Sequence, residues 1–356
     1  MKKTLKICGC VLAVVLAVVL VYVIYVLATY SRLEDNLTLD VVSGAEEASV
    51  PADDTFSIVT WNVGFGAYSS DYSFFMDGGT ESRAFSAQAV EDNIGYCTGL
   101  LSGLQPDFIL LQEVDTDSTR SYHIDESALF SGALPGYDSV FCQNYDSAYL
   151  MYPPLHPHGR SRSGLMTFSA WTADSALRRS LPIETGLTKL LDLDRCYSIT
   201  RIPLENGGTL CLYNVHLSAY SSDGSINTRQ LDMLLSDMAA DAAEGCHVIC
   251  GGDFNMDLLG NSGAVFGVDG GTFTWARPFP AQLMPQGFRL VSSCDPDAPI
   301  PSCRNTDEPY TPGHTFVLTM DGFIVSENVA VENAAVIDCG FAASDHNPVY
   351  MEFSLS

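Results

Sequence analysis

His247-Val248-Ile249-Cys250-Gly251-Gly252-Asp253-Phe254-Asn255 is an apolar run that breaks into two glycines, a carboxylate and an amide. Apolar residues at successive positions, bounded by glycine, read as a strand covered on both faces. Asp253 and Asn255 stand two apart just beyond it, so continued extended geometry projects both to one side. A carboxylate and an amide placed there can hold a water molecule and a phosphoryl oxygen together. The same arrangement, a polar ligand after an apolar run, recurs in Thr60-Trp61-Asn62-Val63, Leu111-Gln112-Glu113-Val114, Asn214-Val215-His216 and Ser344-Asp345-His346.

Around these blocks the chain alternates between strand-like and helix-like patterns. Residues 56–61, 107–111 and 208–215 read as strands, and so do 323–325, 329–331 and 349–353. Ala84 to Leu104 carries apolar residues at helical spacing and stops near Gly103 and Pro106. Thr228 to Ala243 is amphipathic through Leu231, Leu234, Leu235 and Met238. No repeat or low-complexity tract interrupts the pattern, which predicts an α/β (α+β) domain of helices layered on sheet.

The N-terminus differs. Residues 7–31 carry a single charge-free apolar stretch, preceded by Lys2, Lys3 and Lys6 and followed by Glu34, Asp35 and Asp40. A stretch of ~20 apolar residues spans a bilayer core, whereas a secretory signal has a shorter one of ~7–15. The reading favours an uncleaved signal anchor over residues 1–30, with a cleaved signal and a secreted domain as the alternative; both export the rest of the chain. Its N-terminus lies in the cytoplasm and the rest is exported, with Tyr22, Tyr25 and Tyr30 near the far interface. Residues 31–54 are polar and acidic and read as a linker, and 55–356 as the catalytic domain.

The formal net charge is −26, and the basic cluster before the apolar stretch leaves the remainder more acidic still. Such a surface repels polyanions and excludes a protein that coats nucleic acid by bulk electrostatics. Nucleic acid stays open only as a substrate. Of eleven cysteines, nine follow the apolar stretch. Export permits disulfides, and Cys294 with Cys303, flanking a Pro- and Asp-rich loop, is the expected pair. Cys97, Cys211, Cys246 and Cys250 fall in or beside apolar runs and read as buried thiols.

The polar blocks together carry chemistry. Asn62 and Glu113 are hard oxygen donors suited to Mg²⁺, with Mn²⁺ or Ca²⁺ as alternatives. His216 and His346 supply imidazoles that protonate a leaving group or stabilise developing charge. Asp321, in Thr319-Met320-Asp321-Gly322, is placed to fix the tautomer of one of them. Arg160 and Arg162, with His156 and His158 upstream, form a local cluster of positive potential and are candidate contacts for the substrate phosphate.

In this order the blocks resemble the endonuclease/exonuclease/phosphatase superfamily, whose members include deoxyribonuclease-I-like nucleases, exonuclease-III-like repair enzymes, neutral sphingomyelinases and inositol-polyphosphate 5-phosphatases. The resemblance covers residues 56–354. It implies a four-layer α/β/β/α sandwich of two mixed sheets flanked by helices. It also implies metal ligation by Asn62, Glu113 and Asp345. Asp253 and Asn255 then orient water and phosphate, His216 and His346 are the active-site histidines, and Asp321 supports the second of these. Gly64 stands where exonuclease-III-like members tend to have an acidic residue, and His216 where they have a tyrosine. Both departures point away from abasic-site repair.

The expectation is an exported, membrane-tethered, divalent-metal-dependent phosphoesterase acting by in-line water attack. Its substrate would be a phosphodiester or phosphomonoester, of a phospholipid or a sugar phosphate. The competing readings are an extracellular deoxyribonuclease-I-like nuclease and a non-catalytic binding module on the same fold.

Overall fold

The computed structural model describes residues 2–46, 49–51, 54–184, 194–219, 225–268, 277–295 and 297–355. Its strands are β1 (Leu37–Leu39), β2 (Val41–Val42), β3 (Thr55–Asn62), β4 (Phe108–Asp115), β5 (Asp138–Asp146), β6 (Arg162–Ser169), β7 (Ser175–Ser180) and β8 (Cys196–Pro203). They continue with β9 (Thr209–His216), β10 (His247–Asp253), β11 (Phe288–Val291), β12 (Cys303–Arg304), β13 (Val317–Leu318), β14 (Asp321–Ser326), β15 (Val329–Val336) and β16 (Val349–Leu355). The helices are α1 (Lys2–Thr29), α2 (Ala87–Leu104), α3 (Glu126–Ala133), α4 (Ser225–Ala243) and α5 (Ser262–Phe266).

Two seven-stranded sheets form, in the orders β1-β7-β8-β9-β10-β14-β11 and β15-β16-β3-β4-β6-β5-β2. Each is mixed: β9 and β10 run parallel in one, and β3 and β4 in the other. Alternation along a strand sends successive side chains to opposite faces. Thus Ile58 and Leu110 meet Leu212, Ile249 and Phe323 of the other sheet between the layers. Val59, Trp61, Ile109 and Leu111 turn outward under Val90, Ile94, Cys97 and Leu101 of α2. On the opposite face, Leu231, Leu234, Leu235 and Met238 of α4 cover Tyr213, Val215, Val248 and Cys250. The architecture is therefore the expected four layers, helix on sheet on sheet on helix.

Both predicted long helices are present. The Ser86 side chain caps α2 by accepting from the Ala89 amide, and Gln105, in the left-handed conformation, ends it before Pro106. A buried polar pair also ties the sheets together. Gln112 Nε2 donates to Asn214 Oδ1 at 2.8 Å, and Asn214 Nδ2 donates to the carbonyls of Leu111 and Met166. Fully satisfied amides in a dry interior fix the register in which the two sheets face each other.

Two expectations change. The linker reading fails for residues 37–42, because β1 pairs with β7 at the edge of one sheet and β2 with β5 at the edge of the other. Segments of two and three residues have no periodicity to detect; only the exposed edges of the partner strands select them. Cys294 and Cys303 are free thiols, as are all eleven cysteines. Cys303 is committed to β12, where its Sγ lies 3.5 Å from His346 Nε2. The Cys142 and Cys196 thiols meet instead, 3.5 Å apart and on different sheets.

Helix α1 is long and apolar enough to cross a membrane, and none of its residues is buried.

Candidate active site

The functional side chains gather where β3, β4, β9 and β10 end. Register explains it: Asp253 sits beside His216 on the parallel neighbour and beside Asp321 on the antiparallel one. Asn62 sits beside Gln112, one residue before Glu113. Two local departures from regular strand aim the ligands. Glu113 has φ 56° within a bulge between Leu111 and Val114, which rotates its carboxylate out of the pleat. A Cβ on Gly252 would lie 2.0 Å from the Val215 carbonyl oxygen, so only glycine lets β10 approach β9 here. Asn255, at φ 49°, donates its amide N–H to Asp253 Oδ1 at 2.8 Å, an Asx turn that orients the carboxylate. Its side-chain nitrogen donates to the Leu217 carbonyl at 2.9 Å.

One oxygen is the centre of the arrangement. Asp253 Oδ2 accepts from Asn62 Nδ2 at 3.1 Å and lies 3.5 Å from His216 Nε2 and 3.7 Å from His346 Nε2. Asn62 Nδ2 also reaches Glu113 Oε1 at 3.3 Å, and its Oδ1 accepts the Gly64 amide. Asp321 Oδ2 meets His346 Nδ1 at 2.8 Å and accepts from Ser302 Oγ at 2.7 Å, which holds it behind the imidazole. The first and last blocks are joined directly. Trp61 Nε1 donates to the His346 carbonyl at 2.8 Å, and Ser344 Oγ to the Asn62 carbonyl at 2.7 Å.

Burial sets the charges. It lifts the Asp253 carboxyl to about 7, with His346 pulling down and Asp321 pushing up. It lifts Asp345 to about 6, against the opposing pull of His346 and Arg304. The two histidines separate. Burial disfavours charge on both, but Asp321, Cys303 and Asp345 outweigh it at His346 and hold that imidazole well above its ordinary value. At His216 burial is joined by Arg195, His346 and Arg120, and the imidazole stays neutral, far below its ordinary value. One charged and one neutral imidazole thus flank the same carboxylate.

Asn62, Glu113, His216, Asp253, Asn255, Asp345 and His346 all line one cleft. Arg160 and Arg162 do not line it: both guanidinium groups turn to Asp146, at 2.8 and 3.5 Å. The cations at the cleft are Arg120, Arg195 and Arg304, which no sequence pattern marked. Arg120 stacks over the Phe65 ring at 3.8 Å and pairs with Asp115 at 2.8 Å. Arg304 donates to the Ser69 and Tyr72 carbonyls and braces the loop that follows Asn62. Arg195 makes no ion pair among the described residues, and its buried Nε has no partner. His123 and His314 lie far out on the surface, paired with Asp117 and Glu308.

The oxygen donors fit a hard divalent cation. Asn62, Glu113 and Asp345 line the same cleft; Glu113 also lies 3.8 Å from the Arg120 guanidinium, and its carboxylate adds to the cost of a charge on Asp345. A second acidic cluster, Cys211, Asp241 and Cys246, does not fit one. The Arg201 guanidinium fills it, 2.9 Å from Cys211 Sγ and 2.8 Å from Asp241 Oδ1.

The sequence profile of the Endonuclease/Exonuclease/phosphatase family matches residues 59–346, a span that runs from β3 to the final histidine. The chain belongs to this family. It is accordingly a metal-dependent hydrolase of phosphate ester bonds. Solved structures show the same fold at low identity. The endonuclease/exonuclease/phosphatase from Beutenbergia cavernae DSM 12333 aligns with a TM-score of 0.57 and 16% identity, over 85% of this chain and 72% of that one. D. rerio TDP2 complexed with single-strand DNA product gives 0.53 and 17%, over 85% and 100%. ANGEL2, a 2',3'-cyclic phosphatase, gives 0.55 and 16%, over 90% and 99%. No curated protein sequence matches the chain.

Proposed function

We propose that this family member is an exported, membrane-tethered phosphoesterase that uses Mg²⁺ and cleaves its substrate by in-line attack of water. The observation that carries the reading is the single carboxylate oxygen, Asp253 Oδ2, within reach of one amide and two imidazoles of unlike charge. Asn62, Glu113 and Asp345 would hold the metal. An ion held there would neutralise phosphoryl oxygens and offset the negative charge of the carboxylates. Asp253 takes the proton of the attacking water, held by its turn to Asn255. His346, charged and fixed by Asp321, gives a proton to the departing oxygen. The Asp253 proton then returns across the 3.7 Å to His346, which resets both groups. Neutral His216 donates a hydrogen bond without adding charge.

Arg195 is the best-placed cation for a phosphoryl oxygen or an anionic headgroup, because no carboxylate competes for it among the described residues. Arg195→Ala should raise KM about tenfold and leave kcat within about threefold, the signature of a lost ground-state contact. An unchanged KM on the preferred substrate removes Arg195 from the binding site.

Placement favours a phospholipid or sugar phosphate over nucleic acid: α1 ties the cleft to a membrane, and the net charge of −26 repels a polyanion. The test is hydrolysis by the purified chain in nanodiscs, with Mg²⁺ or EDTA, of sphingomyelin, phosphoinositides, double-stranded DNA, RNA and a chromogenic phosphodiester. Preference for a lipid is the expected result. Preference for DNA would make the protein a tethered nuclease. No turnover by a folded, metal-binding chain would leave the binding module as the reading.

A further inference from the structure

The loop between β5 and β6 has no part in the chemistry just described, yet it carries one of the most exposed apolar surfaces of the domain. Met151, Tyr152 and Leu155 are 58%, 60% and 88% exposed. Residues 147–159 contain no acidic or basic side chain other than His156 and His158, and Pro153, Pro154 and Pro157 stiffen the loop. Large apolar side chains held out by a rigid loop mark a contact surface.

What they contact is indicated by the neighbour. Tyr22 of α1 donates its hydroxyl to the Tyr149 carbonyl at 3.0 Å and accepts from the Met151 amide at 3.4 Å. Tyr25 accepts from the Tyr149 amide at 3.2 Å. The loop backbone therefore lies against α1 about 10 Å before the helix ends at Thr29, at ~1.5 Å per residue. An apolar core of ~30 Å counted from Lys6 ends close to Tyr25, so Tyr22 and Tyr25 occupy the interface where such rings are favoured. A loop bonded to them sits at the same depth.

The loop's other end forms the cleft. His158 lines it, and its Nδ1 lies 2.6 Å from the Ser82 carbonyl. Tyr152 packs on Phe75, beside Met76, which is half exposed on the cleft rim. At the loop's base Arg160 and Arg162 pair with Asp146, at 2.8 and 3.5 Å, and the Asp117 carboxyl is held below its ordinary value by His123 first and then by these two arginines.

We propose that loop 147–159 is a second membrane-insertion element, entering the leaflet that holds the C-terminal end of α1 and seating the mouth of the cleft on the bilayer. The phosphate ester cleaved is then that of a lipid headgroup in the same membrane. This last step rests on the hydrolase reading above; the insertion itself does not.

The experiment uses the full chain in phosphatidylcholine vesicles. Leu155→Trp places an indole at a site with no core contacts, and the wild-type protein sets the background from its native tryptophans. Acyl-chain-brominated lipid should quench at least about half of the added emission, because the indole enters the hydrocarbon boundary. Quenching by aqueous iodide but not by bromolipid would overturn the insertion. A second arm reads activity. The Met151→Ser/Leu155→Ser variant should lose about tenfold on vesicle lipid, the effect of a weakened interfacial contact, with unchanged turnover of a soluble chromogenic phosphodiester. Unchanged turnover of the vesicle lipid would overturn the seating role. If the wild-type chain cleaves neither substrate, the hydrolase reading fails, while the quenching result still decides the insertion.

Discussion

Asp253→Asn lowers kcat by at least about 10³-fold and leaves the fold intact, because it removes the proton acceptor but keeps the shape and the turn. The amide can still accept the Asn255 N–H through one oxygen, which preserves the 2.8 Å contact that orients residue 253. It can no longer take the proton of water, and it withdraws the negative charge that balances His346. Asp253→Ala should match it in activity but lose stability by about 1–3 kcal/mol, since Asn62 Nδ2 and the Asn255 amide both lose an acceptor in a buried site. The check is single-turnover kinetics beside thermal unfolding for both variants. Retention of a tenth of wild-type turnover by either would take Asp253 out of the chemistry.

Withdrawal of the metal should have the second large effect. EDTA abolishes turnover and Mg²⁺ restores it, and the same site should be visible without any substrate. At a Mg²⁺ concentration about a hundredfold above its Kd the folded state gains about 2.7 kcal/mol, or about 5 °C in Tm for a domain of this size. Glu113→Gln and Asp345→Asn should lose most of that increment. A Mg²⁺-induced shift of equal size in wild type and both variants would place the ion elsewhere.

The stations of the site were readable because each is a local event. A polar residue directly after a buried apolar run marks a strand end, and this chain repeats that event at Asn62, His216 and Asp253, with Glu113 at the bulge near the end of β4; His346 lies in the connection that leads to β16. The helices α2 and α4 were readable for the same reason, since a stripe at helical spacing needs only its own residues. Asp321 was harder; an aspartate before glycine resembles a turn, and only its place beside Asp253 in the sheet turns it toward His346.

Interactions between distant segments were not readable. Trp61 reaches the carbonyl of His346 across 285 positions, and Gln112 reaches Asn214 across 102. Neither pair leaves a trace in local pattern. The cations show the same limit. Arg160 and Arg162 stand out in sequence by their spacing, but Asp146, paired to their strand in the sheet, claims both. Arg195 stands beside an aspartate in sequence, yet among the described residues it faces the cleft without an ion pair. The two edge strands at residues 37–42 and the free thiol of Cys303 likewise follow from partners far along the chain.

The sequence by itself determined which residues are candidates for the chemistry, where the strands that carry them and the two long helices α2 and α4 lie, and that an apolar helix precedes the domain. It did so because periodicity and strand-end chemistry are short-range. Only the tertiary structure decided that one oxygen of Asp253 faces one charged and one neutral imidazole, that Arg195 rather than Arg160 meets the cleft, and that loop 147–159 lies against α1. Charge state and contact depend on burial and on the field of residues brought together from the whole chain.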